Sequence, residues 1–175
     1  MADSILDQLR NNYDERHGVV NVRPVVDNLL KTSTNPFAEV SATFRDAEPR
    51  WRMPILEAMR VLAASGKCTE EGAQDVLKAT EAVAVESGDD EYFKTINALV
   101  ASPKAATALT AYVLRLLEMG RNSFARRLAF YTVGMLLEHR TAQLSDGLHN
   151  ALKYAAEEEK SEQLKRQFQE LLNRF

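Results

Sequence analysis

Residues 123–138, SFARRLAFYTVGMLLE, decide how the chain folds. Residues 128–137 carry no charge. Their apolar side chains do not fall on one stripe: Leu128, Phe130, Val133, Met135, Leu136 and Leu137 point all round a helix. A helix that is apolar on every face is buried on every face, in a protein core or in a membrane. The uncharged run is too short for a bilayer, which takes roughly 20 residues to cross. It therefore predicts a central helix wrapped by others.

The flanks agree. Gly120 stops a preceding helix whose stripe is Ala105, Leu109, Tyr112, Val113, Leu116 and Leu117, and Asn122 or Ser123 caps the next. Residues 103–139 thus read as an antiparallel helical hairpin with a very short turn. Upstream, Asp89, Asp90 and Glu91 open a helix over Tyr92, Phe93, Ile96, Leu99 and Val100. Thr69, followed by Glu70 and Glu71, caps one that runs to Glu86. Ile55, Leu56, Met59 and Leu62 mark another, stopped by Gly66.

Residues 45–54, RDAEPRWRMP, hold two prolines, which argues against a regular helix, so a structured loop is expected there. It separates an N-terminal helical unit at 1–50 from a main bundle at 51–175, within one structural domain overall. Before it, helices are expected over residues 4–16, from Pro24 through Leu30, and from Pro36 through Phe44. Val19 to Val22 reads as an extended connector. Residues 148–175 contain neither proline nor glycine and form one long helix, or two broken near residues 157–161. The expected fold is all-α: a single multi-helix bundle of about eight to ten helices around a buried central helix at residues 123–139. Tetratricopeptide and ankyrin signatures are absent, so a bundle is preferred to a solenoid.

The totals fit a globular protein, with 45% hydrophobic and 27% charged residues and a net charge of −3. The only cysteine, Cys68, allows no intrachain disulfide and no cysteine-based metal site. The first residues are acidic without a long apolar run, unlike a signal peptide. An intracellular, cytoplasmic location without membrane contact is expected.

No catalytic template matches. There is no glycine-rich phosphate loop, no Gly-x-Ser-x-Gly elbow and no His-Glu-x-x-His. His17, His139 and His149 are scattered. The run Glu157, Glu158, Glu159 reads as a solvated face, because neighbours on a helix diverge. No catalytic residue, cofactor or metal is expected, and the chain is not read as an enzyme.

Binding surfaces are the alternative. Trp51 stands among Arg45, Arg50, Arg52 and Arg60. An aromatic between arginines suits single-stranded nucleic acid, by stacking and phosphate contact. The opposing expectation turns Trp51 inward and pairs the arginines with Asp46, Glu48 and Glu57. A second cluster comprises Arg115, Arg121, Arg126 and Arg127, followed by Arg140. Arg126 and Arg127 lie in the first turns of the central helix, where the dipole disfavours cations. Either an anion sits there or a buried ion pair holds the side chains. Finally, Leu164, Phe168, Leu171 and Phe175 form a narrow apolar stripe. It either closes the chain's own bundle or packs on another subunit. The expected function is non-enzymatic binding and self-assembly through protein–protein contacts. The alternative is RNA binding through the clustered arginines, as in a viral nucleocapsid, coat or RNA-sequestering protein.

Overall fold

Ten α-helices and one short hairpin make up the described residues, 4–119, 122–139 and 145–174, of the computed structural model. Ser4 starts α1 (Ile5–Asn11) by accepting the Asp7 amide at 3.2 Å. The helix does not reach residue 16. Asn12 closes it, and its side-chain amide donates to the Gln8 carbonyl at 2.8 Å. The next residues turn back as a hairpin of β1 (Tyr13–Asp14) and β2 (Val19–Val20), with Tyr13 opposite Val20 and Asp14 opposite Val19. The Asp14 carboxylate accepts the Arg16 amide at 2.9 Å and meets His17 Nδ1 at 2.7 Å. Gly18, at φ 65°, makes the left-handed step that the turn needs. Local side-chain-to-backbone bonds of this kind outcompete a helix.

The helices α2 (Arg23–Thr32) and α3 (Pro36–Asp46) follow, α3 capped by Asn35. The expected loop at residues 45–54 is instead mostly helix, because α4 spans Pro49–Leu62. Pro49 sits in the first turn, where its missing N–H removes no bond. Pro54 lies deeper and leaves one carbonyl of the preceding turn without an amide donor. Burial of Ile55, Leu56, Ala58, Met59 and Leu62 offsets that loss. The boundary expected at residue 50 thus falls inside a helix. One connected core takes in side chains from Ile5 to Leu171.

A turn at Ala63–Lys67, with Gly66 at φ 77°, leads into α5 (Glu70–Ser87), which Thr69 caps. Then come α6 (Asp90–Val100), a tight turn at Pro103–Ala105, α7 (Ala106–Glu118), α8 (Ser123–Glu138), α9 (Asp146–Glu158) and α10 (Glu162–Leu172). The C-terminal region is therefore two helices. The fold is an all-α multi-helix bundle.

The enclosure of α8 is graded. Ala125, Leu128, Ala129, Thr132, Val133 and Leu136 form a buried stripe, whereas Phe130, Tyr131, Met135 and Leu137 are half-buried on its flanks. The helix packs against α6, α7 and α10. Its flanking aromatics meet neighbours edge-on: Tyr131 with Phe93 of α6 at 4.9 Å, and Phe130 with Phe168 of α10 at 5.8 Å. No helix among the described residues is long and apolar enough to cross a membrane.

Close packing reaches the backbone where α3 meets α5. A Cβ on Gly72 would stand 2.9 Å from the Phe37 ring. Overpacking costs about 1–3 kcal/mol, and the gain in helix propensity over glycine returns at most about 1 kcal/mol. Gly72→Ala is expected to lower the urea midpoint modestly. An unchanged or raised midpoint would show that Phe37 gives way freely.

Candidate functional site

The two arginine clusters meet different fates. Around Trp51 a groove forms. The indole is half-buried at the start of α4. The Arg50 guanidinium lies 5.7 Å from its ring centroid and that of Arg10, from α1, lies 5.8 Å away. Tyr13 of β1 meets the indole edge-on at 6.4 Å and 76°. Typical ligand clefts measure about 300–1,000 Å³; the groove that the hairpin and α4 enclose here measures about 670 Å³. Val19, Val20, Val22, Met53 and Pro54 line its walls with Trp51. Exposed cation–π contacts contribute about 0.5–1 kcal/mol each, so Arg10 and Arg50 steady the ring more than they fix it.

The end of the groove is charged and ordered. Arg60, grouped with Trp51 in the sequence, is buried and spends all its nitrogens inside the protein, one of them on Glu57 as the opposing expectation had it. Nη1 donates to Glu91 at 2.7 Å and to Glu57 at 3.3 Å, Nη2 to the Glu91 carbonyl at 2.8 Å, and Nε to Thr95 at 3.0 Å. Thr95 in turn stands 2.6 Å from Thr80, whose hydroxyl donates to the Val76 carbonyl. Lys94 bonds the other Glu91 oxygen at 2.7 Å. Burial pushes the Glu91 pKa up, but hydrogen bonds from Lys94 and Arg60 and their charges outweigh it, and the carboxyl titrates below its ordinary range.

The remaining cations of the groove are paired as well. Arg50 meets Glu48 at 3.0 Å and Arg10 meets Asp7 at 3.3 Å. Arg52 is half-buried, with its Nε and the Trp51 Nε1 both buried and without a hydrogen-bond partner among the described residues. Arg45 points elsewhere, to a cavity between α3 and α5.

The second cluster disperses. Arg115 of α7 reaches Glu81 of α5 and stacks over the Tyr112 ring at 5.1 Å. Arg126 turns inward and binds Glu159 at 2.9 Å, both side chains being buried. Arg127 is exposed, and Arg121 and Arg140 lie outside the described residues. Asn122 already accepts the Phe124 and Ala125 amides at the start of α8, at 3.0 and 3.2 Å. Glu159 does not belong to a solvated face: only Glu157 and Glu158 are exposed. In the C-terminal stripe, Leu164, Phe168 and Leu171 are buried in the chain's own core, and Phe175 lies outside the described residues.

Groups suited to bond-making chemistry are held apart. Cys68 is buried, and burial raises its thiol to about 11, so little of it is the reactive thiolate. His17 sits in the hairpin turn, His139 at the end of α8 and His149 in α9. No group of acidic, histidine or cysteine side chains among the described residues is placed to hold a metal ion.

Arg10, Tyr13, Glu91 and Lys94 were not foreseeable as site residues. Only the hairpin left a trace in sequence, as glycine followed by two valines. Comparison of the chain with protein-family models, with curated proteins and with solved structures gives no match.

Proposed function

We propose that the chain is a non-enzymatic helical binding protein, and that the groove at Trp51 takes an apolar segment of a partner protein. The groove's charge state carries this reading. Its walls are aromatic and aliphatic, whereas Arg10, Arg50, Arg60 and Lys94 each already contact a carboxylate. A nucleic acid would have to displace those carboxylates to gain the phosphate contacts on which its affinity depends. An apolar segment needs only to cover Trp51, Met53 and the valines, and leaves the ion pairs in place. Tryptophan, tyrosine and arginine are also the residues enriched among the hot spots of protein interfaces. The burial of Leu164, Phe168 and Leu171 directs self-association, where it occurs, to other surfaces.

The test uses the single tryptophan as reporter. Peptides selected from a random library on the wild-type protein, with Trp51→Ala as counter-screen, are expected to shift Trp51 emission. Calorimetry should show at least a roughly thirtyfold weaker affinity for Trp51→Ala, the loss expected of an interface hot spot. A single-stranded uridine oligonucleotide at low salt should leave emission unchanged. Salt-dependent quenching by that oligonucleotide, or selected peptides that bind without altering Trp51, would overturn the reading.

A further inference from the structure

We infer that the cavity between α3 and α5 is a second site, which binds a small monocarboxylate with an apolar body. Its volume is about 400 Å³. Helix periodicity puts Ser41 and Arg45 one turn apart on α3, and Asp75 and Lys78 one turn apart on α5. Phe44 of α3 and Met59 of α4 supply the apolar lining.

Two observations point to a ligand and to its charge. Ser41 is 9% exposed, and its hydroxyl has no hydrogen-bond partner among the described residues. The buried threonines on the helices do not behave this way. Thr80 and Thr132 donate to the carbonyl one turn back at 2.8 and 2.7 Å, and Thr95 is held between Arg60 and Thr80. An unsatisfied hydroxyl in a helix interior costs stability, so its presence in a cavity wall fits a bound acceptor.

The second observation is the charge of the lining. Arg45 and Lys78 form no ion pair among the described residues, although Asp75 lines the same cavity. Two cations and one carboxylate leave the site one positive charge in excess, which matches a monoanion. Arginine supplies the fork that a carboxylate accepts in bidentate fashion, Lys78 adds a point charge, and Ser41 adds a neutral donor. Phe44 and Met59 then face the apolar part of the ligand. The cations that line the groove at Trp51 are paired with carboxylates, whereas Arg45 and Lys78 are not among the described residues, so the two sites rest on separate observations.

The experiment is an NMR titration of the full chain with sodium phenylacetate at constant ionic strength, with phenylacetamide as the uncharged counterpart. Phenylacetate should shift the Ser41, Arg45 and Lys78 amides along one saturating path. Phenylacetamide should bind at least roughly tenfold more weakly, since a charge-assisted hydrogen bond is lost. The variant Arg45→Gln/Lys78→Gln should lose at least a similar factor for phenylacetate. Ser41→Ala separates a ligand role from a packing role, because the two move in opposite directions. Without ligand its melting temperature should stay level or rise, as a buried unsatisfied hydroxyl is removed. Its affinity for phenylacetate should fall roughly threefold to tenfold. Absent shifts, equal affinity for the amide, or undiminished binding by either variant would overturn the inference.

Discussion

Replacing Arg60 with alanine is expected to lower the unfolding free energy by about 3–5 kcal/mol, the usual cost of removing one partner from a buried ion pair. Arg60 and Glu91 are both about 5% exposed at the side chain, and their bond measures 2.7 Å. Without the guanidinium, Glu91 keeps only Lys94, which is itself mostly in solvent. The Glu91 carbonyl and the Thr95 hydroxyl each lose a donor too. A loss of that size is a large fraction of the roughly 5–15 kcal/mol that holds a typical domain together. Urea denaturation should therefore show a much lower midpoint with an unchanged slope.

Two controls divide that loss. Arg60→Lys keeps the charge but cannot reach Glu91, its carbonyl and Thr95 with one planar fork, so it should recover only part of the stability. Arg60→Met with Glu91→Leu should approach wild type, because an apolar pair avoids the desolvation that the ion pair must overcome. If Arg60→Ala costs less than about 1 kcal/mol, the pair behaves like an exposed one, and the ordered end of the Trp51 groove loses its physical basis.

The local rules were legible in sequence and the long-range pairings were not. Helix periodicity and caps such as Thr69 and Asn122 foretold an all-α bundle, and both side chains do accept an amide of their own first turn. Residues 45–54 read as a loop from the presence of two prolines, but the position of each is compatible with a helix. Pro49 begins α4, and a well-buried face carries the helix past Pro54. The uncharged run in α8 misled more subtly. Half-buried Phe130 and Tyr131 satisfy the same pattern as enclosed side chains, and only their edge-on partners on α10 and α6 distinguish the cases.

The sites followed the same division. Trp51 among arginines stood out, but the groove owes its shape to Arg10, Tyr13 and β2, which lie some thirty to forty residues earlier in the chain and are brought there by the hairpin. The second arginine cluster left open an anion or a buried ion pair. Arg126 takes the ion pair, with Glu159 at the end of α9, and Arg115 of α7 meets Glu81 of α5. No local pattern separates Glu159 from Glu157 and Glu158. What singles it out is the break after α9, which Glu159 helps to form by accepting the Ser161 amide at 2.9 Å.

Arg126→Ala is expected to cost about 3 kcal/mol at neutral pH, the lower end for a broken buried pair, since Glu159 retains the Ser161 amide. The damage should be local first. Arg126 ties the start of α8 to the α9–α10 corner, so amide exchange should accelerate in residues 159–172 before it does in α4. The pH dependence tests the cause. Burial raises the Glu159 pKa, but the Ser161 amide and the Arg126 guanidinium lower it further, so it titrates below its ordinary value in the folded chain. A carboxylate of this kind contributes stability above its unfolded pKa of about 4.3, and that contribution fades as pH falls through the lower folded value. Protonated Glu159 no longer needs Arg126 as a counter-charge. The stability gap between wild type and Arg126→Ala should therefore be widest near neutral pH and narrow steadily below about pH 4. A gap that stays constant with pH would mean that Arg126 acts through packing of its side-chain stem, and that the ion pair at the mouth of α8 does not hold the corner.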